Sequence, residues 1–362
     1  VGANGALQGR NDLRCVSLEH KMGIHASPTA VMSYGDNGGA FGLVVGEENK
    51  GLQYMFTTMN NARLSVGLQG VAIAERALQK AASFARERVQ SRDAASDRAQ
   101  PVSIIHHPDV RRMLLTMRAL TEASRALAYF AASKLDIAKR HPDPAERRAA
   151  QAIVDLLIPV VKGWSTEIGS EAAAMGVQIH GGMGYIEETG AAQFMRDAKI
   201  AEIYEGTNGI QANDLIGRKL TRDGGATAKS LIAMMQELGH ELAAAGAEFS
   251  SLRVSLLNGV AALSTATDWI RAHQAGDPRD AAAGAMPYLR LWGTVAGGWL
   301  MAKAAVAAKA DLAAGEGDPE FLRAKIITAR CYGEQILPRA LAHEAAATAG
   351  AATLMAMSVE AF

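Results

Sequence analysis

The pattern of apolar and polar positions changes period near residue 51. Before that point, short apolar runs at residues 14–18, 30–34 and 41–45 alternate with glycine-rich or polar stretches. They predict strands, with Asp36-Asn-Gly-Gly39 as the turn between the last two. This is too little sheet to bury both of its faces, and it reads as the end of a larger β domain. From Gly51 onward Leu68, Val71, Ala72, Leu78 and Phe84 recur at helical spacing, predicting a helix to about Arg92. A polar loop over 91–103 precedes a second helix, which opens at Pro108-Asp109 and runs to about Arg140. After the turn His141-Pro-Asp-Pro144 a third helix is predicted to about Met175, with Pro159 inside it as a kink. A fourth follows Thr207 to about Leu220. Beyond Asp223-Gly-Gly-Ala226 lie four or five more, broken near Ser250, at 276–278 and at 315–319.

The fold expected is therefore mainly α: the end of a β domain at 1–46, a helical bundle at 47–222 and an extra helical domain at 223–362. No fixed-period repeat is evident.

Composition narrows the function classes. The 362 residues carry 37 basic and 37 acidic side chains and no block of like charge, which argues against nucleic acid or anionic membrane as a general partner. No apolar run reaches the length of a membrane span. Cys15 and Cys331 stand far apart and form no metal-ligand set, so no metal is expected, and the low count suits a reducing, cytoplasmic compartment. The chain begins Val1-Gly-Ala-Asn-Gly, without an initiator Met, and reads as starting within a longer protein.

The candidate chemistry centres on Glu205, in Ile203-Tyr-Glu-Gly-Thr-Asn208. A carboxylate placed where one helix breaks and another resumes can be held as a base on a fixed backbone. Read alone, a Glu in such a Tyr-Glu-Gly turn is far more often a solvated surface residue. Arg63, in Asn60-Asn-Ala-Arg-Leu64, reads alone as a solvated helix-surface arginine, and Arg88 as one member of an exposed charged helix end. Gln178-Ile-His-Gly-Gly-Met-Gly-Tyr185 is glycine-rich but follows no strand, so it is not a Rossmann fingerprint. His25, His106, His107 and His180 show no triad spacing and read as structural.

The ordered segment from Arg196 to Gln211, preceded by the Gln178–Tyr185 loop, resembles the active-site signature of the acyl-CoA dehydrogenase family, and the resemblance covers residues 10–222 in order. It implies a four-helix bundle and FAD-dependent α,β-dehydrogenation of an acyl-CoA thioester. Glu205 would be the α-proton base, with its backbone N–H among the donors to the thioester oxygen. Arg63 and Gly206 would lie on the substrate side. Arg88 would hold the flavin pyrophosphate, Gln178, Gly181 and Gly182 would pack on the adenosine of a neighbouring subunit's FAD, and Thr207 would lie near the flavin. Some relatives carry the base immediately before the arginine matched by Arg63. This chain has Ala62 there, which leaves Glu205.

Two departures stand out. Ser91-Arg92 replaces the Phe-Gly turn that commonly follows the flavin arginine. His25 stands for arginine in a Gly-x-Arg-x-Ser-x-Thr segment. The carboxy-terminal helices and the phrase Tyr204-Glu-Gly-Thr-Asn-Gly209 resemble the larger bacterial subgroup that includes 3-methylmercaptopropionyl-CoA dehydrogenases. That implies a short or medium acyl-CoA, the thioether being one option, with an electron-transferring flavoprotein as acceptor and a homodimer or homotetramer. The amino-terminal half, with the loops that hold the flavin ring, is expected to lie outside these residues, so the chain alone should bind FAD poorly. Two rivals are an acyl-CoA oxidase and a DNA-binding alkylation-response flavoprotein of the same fold. The acids from Glu237 to Glu320 disfavour the second. A non-enzymatic oligomer scaffold is a third, against which the intact Glu205 argues.

Overall fold

The computed structural model describes residues 4–93, 100–274 and 276–362, excepting the side chains of 56, 57 and 60. Part of the predicted polar loop at 91–103 lies outside the described residues. The chain divides into two compact units, Val1–Asn60 and Asn61–Phe362.

In the first unit β1 (Leu13–Leu18) and β2 (Ala30–Tyr34) pair antiparallel, Leu13 opposite Tyr34 and Leu18 opposite Ala30, with a bulge between Cys15 and Ser17. The third predicted strand, 41–45, is not formed. Side chains hold the segment before it: Asp12 accepts from the backbone N–H of Asn37 and Gly39, and Asn11 brackets Phe41 through its N–H (2.9 Å) and its carbonyl (2.8 Å). No strand among the described residues offers 41–45 a ladder, and Leu43 and Val45 are exposed.

The second unit is helical. Its elements are α1 (Gly51–Glu87, within this unit from Asn61), α2 (Pro108–Arg140), α3 (Pro144–His180), α4 (Ala191–Lys199) and α5 (Asn208–Asp214), followed by α6 (Ala226–Ala245), α7 (Ser250–His273), α8 (Pro278–Ala283), α9 (Ala285–Ala314), α10 (Pro319–Gln335), α11 (Arg339–Ala347) and α12 (Ala352–Ala356). Three of these open on the same local device. Asp143, Asp277 and Asp318 each precede a proline, and each carboxylate accepts the N–H two residues on (2.8–2.9 Å), capping donors a helix start leaves free.

Several boundaries differ from the sequence expectation. α1 stops at Glu87 rather than Arg92, because the next residues pair with another segment: Gln90 N–H bonds Val102 O, Val102 N–H bonds Ser91 O, and Ser91 has a φ of 62°. α3 holds Pro159 inside it, as expected, but runs on to His180 rather than ending near Met175. The fourth predicted helix is α-helical only to Asp214 and continues as a π-helical turn over Leu215–Lys219.

One crossing fixes the site. A Cβ on Gly70 of α1 would lie 2.2 Å from Ser165 O of α3, closer than any side chain permits. That approach of two backbones brings α1 positions 63–69 beside α3 and the chain that follows it. A single hydrophobic cluster runs from Ala74 to Ala347 and joins α1–α3 to the helices beyond residue 226, with Trp164, Trp292, Tyr288 and Tyr332 buried in it.

Candidate active site

After α4 a short 3₁₀ turn (Ile200–Glu202) leads into Ile203-Tyr-Glu-Gly-Thr207, and Thr207 caps α5 by accepting from Ile210 N–H at 3.3 Å. Between these caps Glu205 has a φ of 56° and Gly206 of 83°. Glycine adopts this left-handed region freely, whereas a glutamate there costs about 1 kcal/mol and persists only when its surroundings hold it. The surroundings are visible. Gln211 Nε2 donates to the carbonyls of both Glu205 and Gly206 (3.1 Å each), and Lys162 Nζ donates to Gly206 O at 2.8 Å. The Tyr204 hydroxyl donates to Gln69 on α1. Burial pushes that phenol's pKa up, an effect the Gln69 bond only partly offsets. The turn is thus fastened from its buried side while the Glu205 side chain remains exposed.

Lys162 is fully buried, and the sequence reading passed over it. Its second bond, 2.9 Å to Asn208 Oδ1, ties the start of α5 to α3, and Asn208 Nδ2 returns to Gly163 O (3.0 Å) and Thr166 Oγ1 (3.1 Å). Burial, and then the charge of Arg63, pull the ammonium down to about 8, against the opposing pull of Glu202 and Glu205. A signal was present: Lys162 is the one cation in the apolar run from Leu156 to Trp164.

Arg63 corrects the reading of a solvated arginine. It is buried, and its Nη1 meets Asp214 Oδ2 at 2.9 Å across 151 residues of sequence. Asp214 also accepts from Arg218 Nε at 2.6 Å. Arg63 Nε is buried with no partner among the described residues. Position 63 shares a helix face with Val66, Gly70, Ala74 and Ala77, all buried, and that spacing could have revealed it.

The remaining predicted residues gather elsewhere. Phe84 of α1 stacks on His180 of α3 with ring centroids 4.4 Å apart, so the carboxy-terminal ends of these two helices adjoin. Arg88, Gln178, Gly181 and Gly182 all lie exposed at those ends. A Cβ on Gly181 or Gly182 would meet nothing within 4 Å, whereas one on Gly184 would lie 2.3 Å from Val177 O. Packing explains Gly184 and a φ of 58° explains Gly181, while Gly182 is constrained by neither and stands on an exposed surface that also carries Met183 and Tyr185. An exposed arginine at the same helix ends could hold a phosphate-bearing ligand. Along α1 the fifteen residues from Gln69 to Phe84, at about 1.5 Å each, separate this surface from the Glu205 turn by about 22 Å. The structure therefore makes two clusters, Glu205–Thr207 with Arg63 and Lys162 beside the middle of α1, and Arg88 with the glycines at its carboxy-terminal end. His180 itself is structural: it is buried, its Nδ1 lies 2.6 Å from Gly176 O, and burial lowers its pKa. Among the described residues no group of three or more His, Cys, Asp or Glu could hold a metal ion, and no helix is long and apolar enough to cross a membrane.

A cavity of about 390 Å³ between α3, α9 and α11 is lined in part by Glu167, Glu171, Glu202, Arg290, Arg339 and His343. Arg290 bonds Glu167 through two nitrogens (2.8 and 2.9 Å), and Arg339 bonds Glu171 at 2.9 Å. Burial, then Arg290 and Arg339, push His343 down from 6.5 to about 4. The unfolded chain therefore takes up a proton between those values that the folded one refuses, and stability should fall as pH drops from 6.5 to 4. Urea midpoints measured across that window should fall less steeply for His343→Gln than for the unmutated chain. Equal slopes would show that His343 is not held neutral.

Comparison with known proteins follows the same outline. A family model described as Acyl-CoA dehydrogenase, C-terminal domain matches residues 49–220, and one described as Acetyl-CoA dehydrogenase C-terminal like matches residues 231–358. The 3-methylmercaptopropionyl-CoA dehydrogenase of Ruegeria pomeroyi is 53% identical over 337 residues, covering 93% of this chain and 56% of that protein. Two crystal structures share the fold. Caenorhabditis elegans ACDH-11 in complex with C11-CoA has a TM-score of 0.74 at 18% identity, covering 90% of this chain and 51% of that one. An acyl-CoA dehydrogenase complexed with FAD from Bacillus anthracis has a TM-score of 0.70 at 20% identity, covering 92% and 55%. The chain spans about half the length of the curated relatives it matches. With 53% identity to an acyl-CoA dehydrogenase over 93% of its length, and with these two family models matching in order along it, the chain belongs to the acyl-CoA dehydrogenase family.

Proposed function

We propose that the protein to which this chain belongs is a FAD-dependent acyl-CoA dehydrogenase and that Glu205 is its α-proton base. The observation that carries the reading is an exposed carboxylate on a left-handed turn whose backbone is fastened from behind by Lys162, Gln211 and Tyr204. In the proposed reaction the Glu205 carboxylate takes the proton α to the thioester carbonyl, and backbone N–H groups of its turn stabilise the oxyanion that develops. Gly206, on the substrate side in this reading, lets the backbone turn at a φ of 83° with Gln211 packed where a Cβ would stand, and Arg63 supplies a buried positive charge close to the turn. FAD, when bound, supplies the two-electron acceptor for the β-hydrogen. Arg88, Gln178, Gly181 and Gly182 would hold its pyrophosphate and adenosine, and Thr207 would lie near its ring. The 22 Å between the two clusters fits an extended dinucleotide or a site shared by two subunits, and hence a homodimer or homotetramer.

The identity to the Ruegeria pomeroyi enzyme supports a short acyl-CoA as substrate, with 3-methylmercaptopropionyl-CoA as the first to try. An electron-transferring flavoprotein as acceptor and a cytoplasmic location complete the reading. Anaerobic addition of a panel of acyl-CoAs to the FAD-loaded full-length protein should bleach the flavin absorbance with a short-chain preference. No bleaching with any acyl-CoA would sink it, and rapid recovery on admitting oxygen would identify an oxidase.

A further inference from the structure

We infer that Lys162 is a positioning residue for the Glu205 base, acting through the backbone carbonyl that follows it. The inference rests on the dehydrogenase reading above. Lys162 touches neither the Glu205 side chain nor an exposed surface. Its two bonds go to Gly206 O (2.8 Å) and to Asn208 Oδ1 (2.9 Å), and it approaches from the buried side of the turn. With Gln211 it fixes two consecutive carbonyls, those of Glu205 and Gly206. In a planar trans peptide the N–H points opposite to the carbonyl. Holding Glu205 O and Gly206 O inward therefore turns the N–H groups of Gly206 and Thr207 outward, away from Lys162. Neither N–H finds an acceptor among the described residues. The three bonds to these carbonyls hold Glu205 in the left-handed region, which a non-glycine residue leaves when released. A buried ammonium is a costly choice for a purely structural bond, since a neutral amide would do. Here it faces Arg63 from α1 as well as Glu202 and Glu205, so its charge belongs to the electrostatics of the turn.

The reaction step at stake is the removal of the α-proton by Glu205. Its rate can be read without net oxidation, as wash-in of deuterium from D₂O at the α-carbon of a bound acyl-CoA, followed by mass spectrometry. In the FAD-loaded full-length protein, Lys162→Met should lower that exchange about 100-fold, the scale expected when a reacting group is displaced by about 1 Å. Acyl-CoA affinity and FAD content should stay within about threefold, because Lys162 touches neither ligand. Lys162→Gln, which keeps a donor, should recover part of the rate, and it serves as the test variant if the methionine protein fails to fold. Backbone amide exchange over 203–211, which needs no substrate, should accelerate in Lys162→Met. Unchanged α-proton exchange in the variants overturns the positioning role, as does a loss matched by an equal loss of acyl-CoA affinity. Absence of α-proton exchange in the unmutated holoenzyme is a different outcome: it sinks the dehydrogenase reading itself, while the amide-exchange arm still reports whether Lys162 clamps the turn.

Discussion

In the FAD-loaded full-length protein, Glu205→Gln should bind acyl-CoA normally yet remove the α-proton about a thousandfold more slowly, with flavin bleaching lost on the same scale. Glutamine matches glutamate in size and keeps an oxygen in place but cannot accept a proton. The loss is therefore that of the base alone, within the range such groups contribute. The backbone should be undisturbed, because Gln211 and Lys162 hold the turn through main-chain carbonyls that the substitution leaves alone. A structural role for Glu205 would show instead as weaker ligand binding or a lower unfolding midpoint with the α-proton rate preserved. Retained α-proton exchange in the variant would remove Glu205 from the mechanism, and Ala62 leaves the alternative family position without a carboxylate to replace it.

The second large effect falls on stability. Asp214→Asn should destabilise the helical unit by about 3 kcal/mol, because it leaves the Arg63 guanidinium buried without its counter-charge. Both side chains of that pair are almost wholly shielded, at 6% and 2% exposure, so solvent cannot take the place of the lost carboxylate. Arg63 already has one buried N–H unpaired, and Lys162 adds a second cation to the same region. The exposed Arg218, at 64%, can turn to water and should add little to the loss. Urea denaturation near neutral pH is the measurement, with the midpoint lowered and its slope unchanged. The double variant Arg63→Met, Asp214→Leu should recover much of the loss, since an apolar pair of similar volume often replaces a buried ion pair at little cost. An unmoved midpoint in the single variant would show that the pair is not buried in solution.

These two residues illustrate how unevenly the molecule could be read from its sequence. The turn that presents Glu205 was legible because it is local, a helix end, a glycine and a capping threonine within a few residues, whereas its candidate role came from the family resemblance. The same holds for α2, whose span follows from Pro108 and an uninterrupted apolar period, and for the helices opened by Asp143, Asp277 and Asp318. The strand at 41–45 failed for the complementary reason. A strand needs a partner to bond, and its own alternation cannot supply one. The early end of α1 has a similar origin, since the backbone after Glu87 bonds to residues 102–104 instead of continuing the helix.

What the sequence determined by itself is the long helices and the presence of a glutamate on a glycine–threonine turn, because helical hydrogen bonds and caps join residues only a few positions apart. From residue 226 on it predicted four or five helices where the structure has seven among the described residues, the short α8, α11 and α12 included. The tertiary structure alone decided which charges are taken out of water together. Lys162 meets Gly206 from 44 residues away and Arg63 meets Asp214 from 151, and each is buried because separate helices close over it. Desolvation is set by everything packed around a group rather than by its neighbours in the chain. Hence the turn that carries Glu205 could be read from its own residues, its proposed role as base only through the family resemblance, while the lysine that holds the turn was fixed in place when α3 and α5 came together.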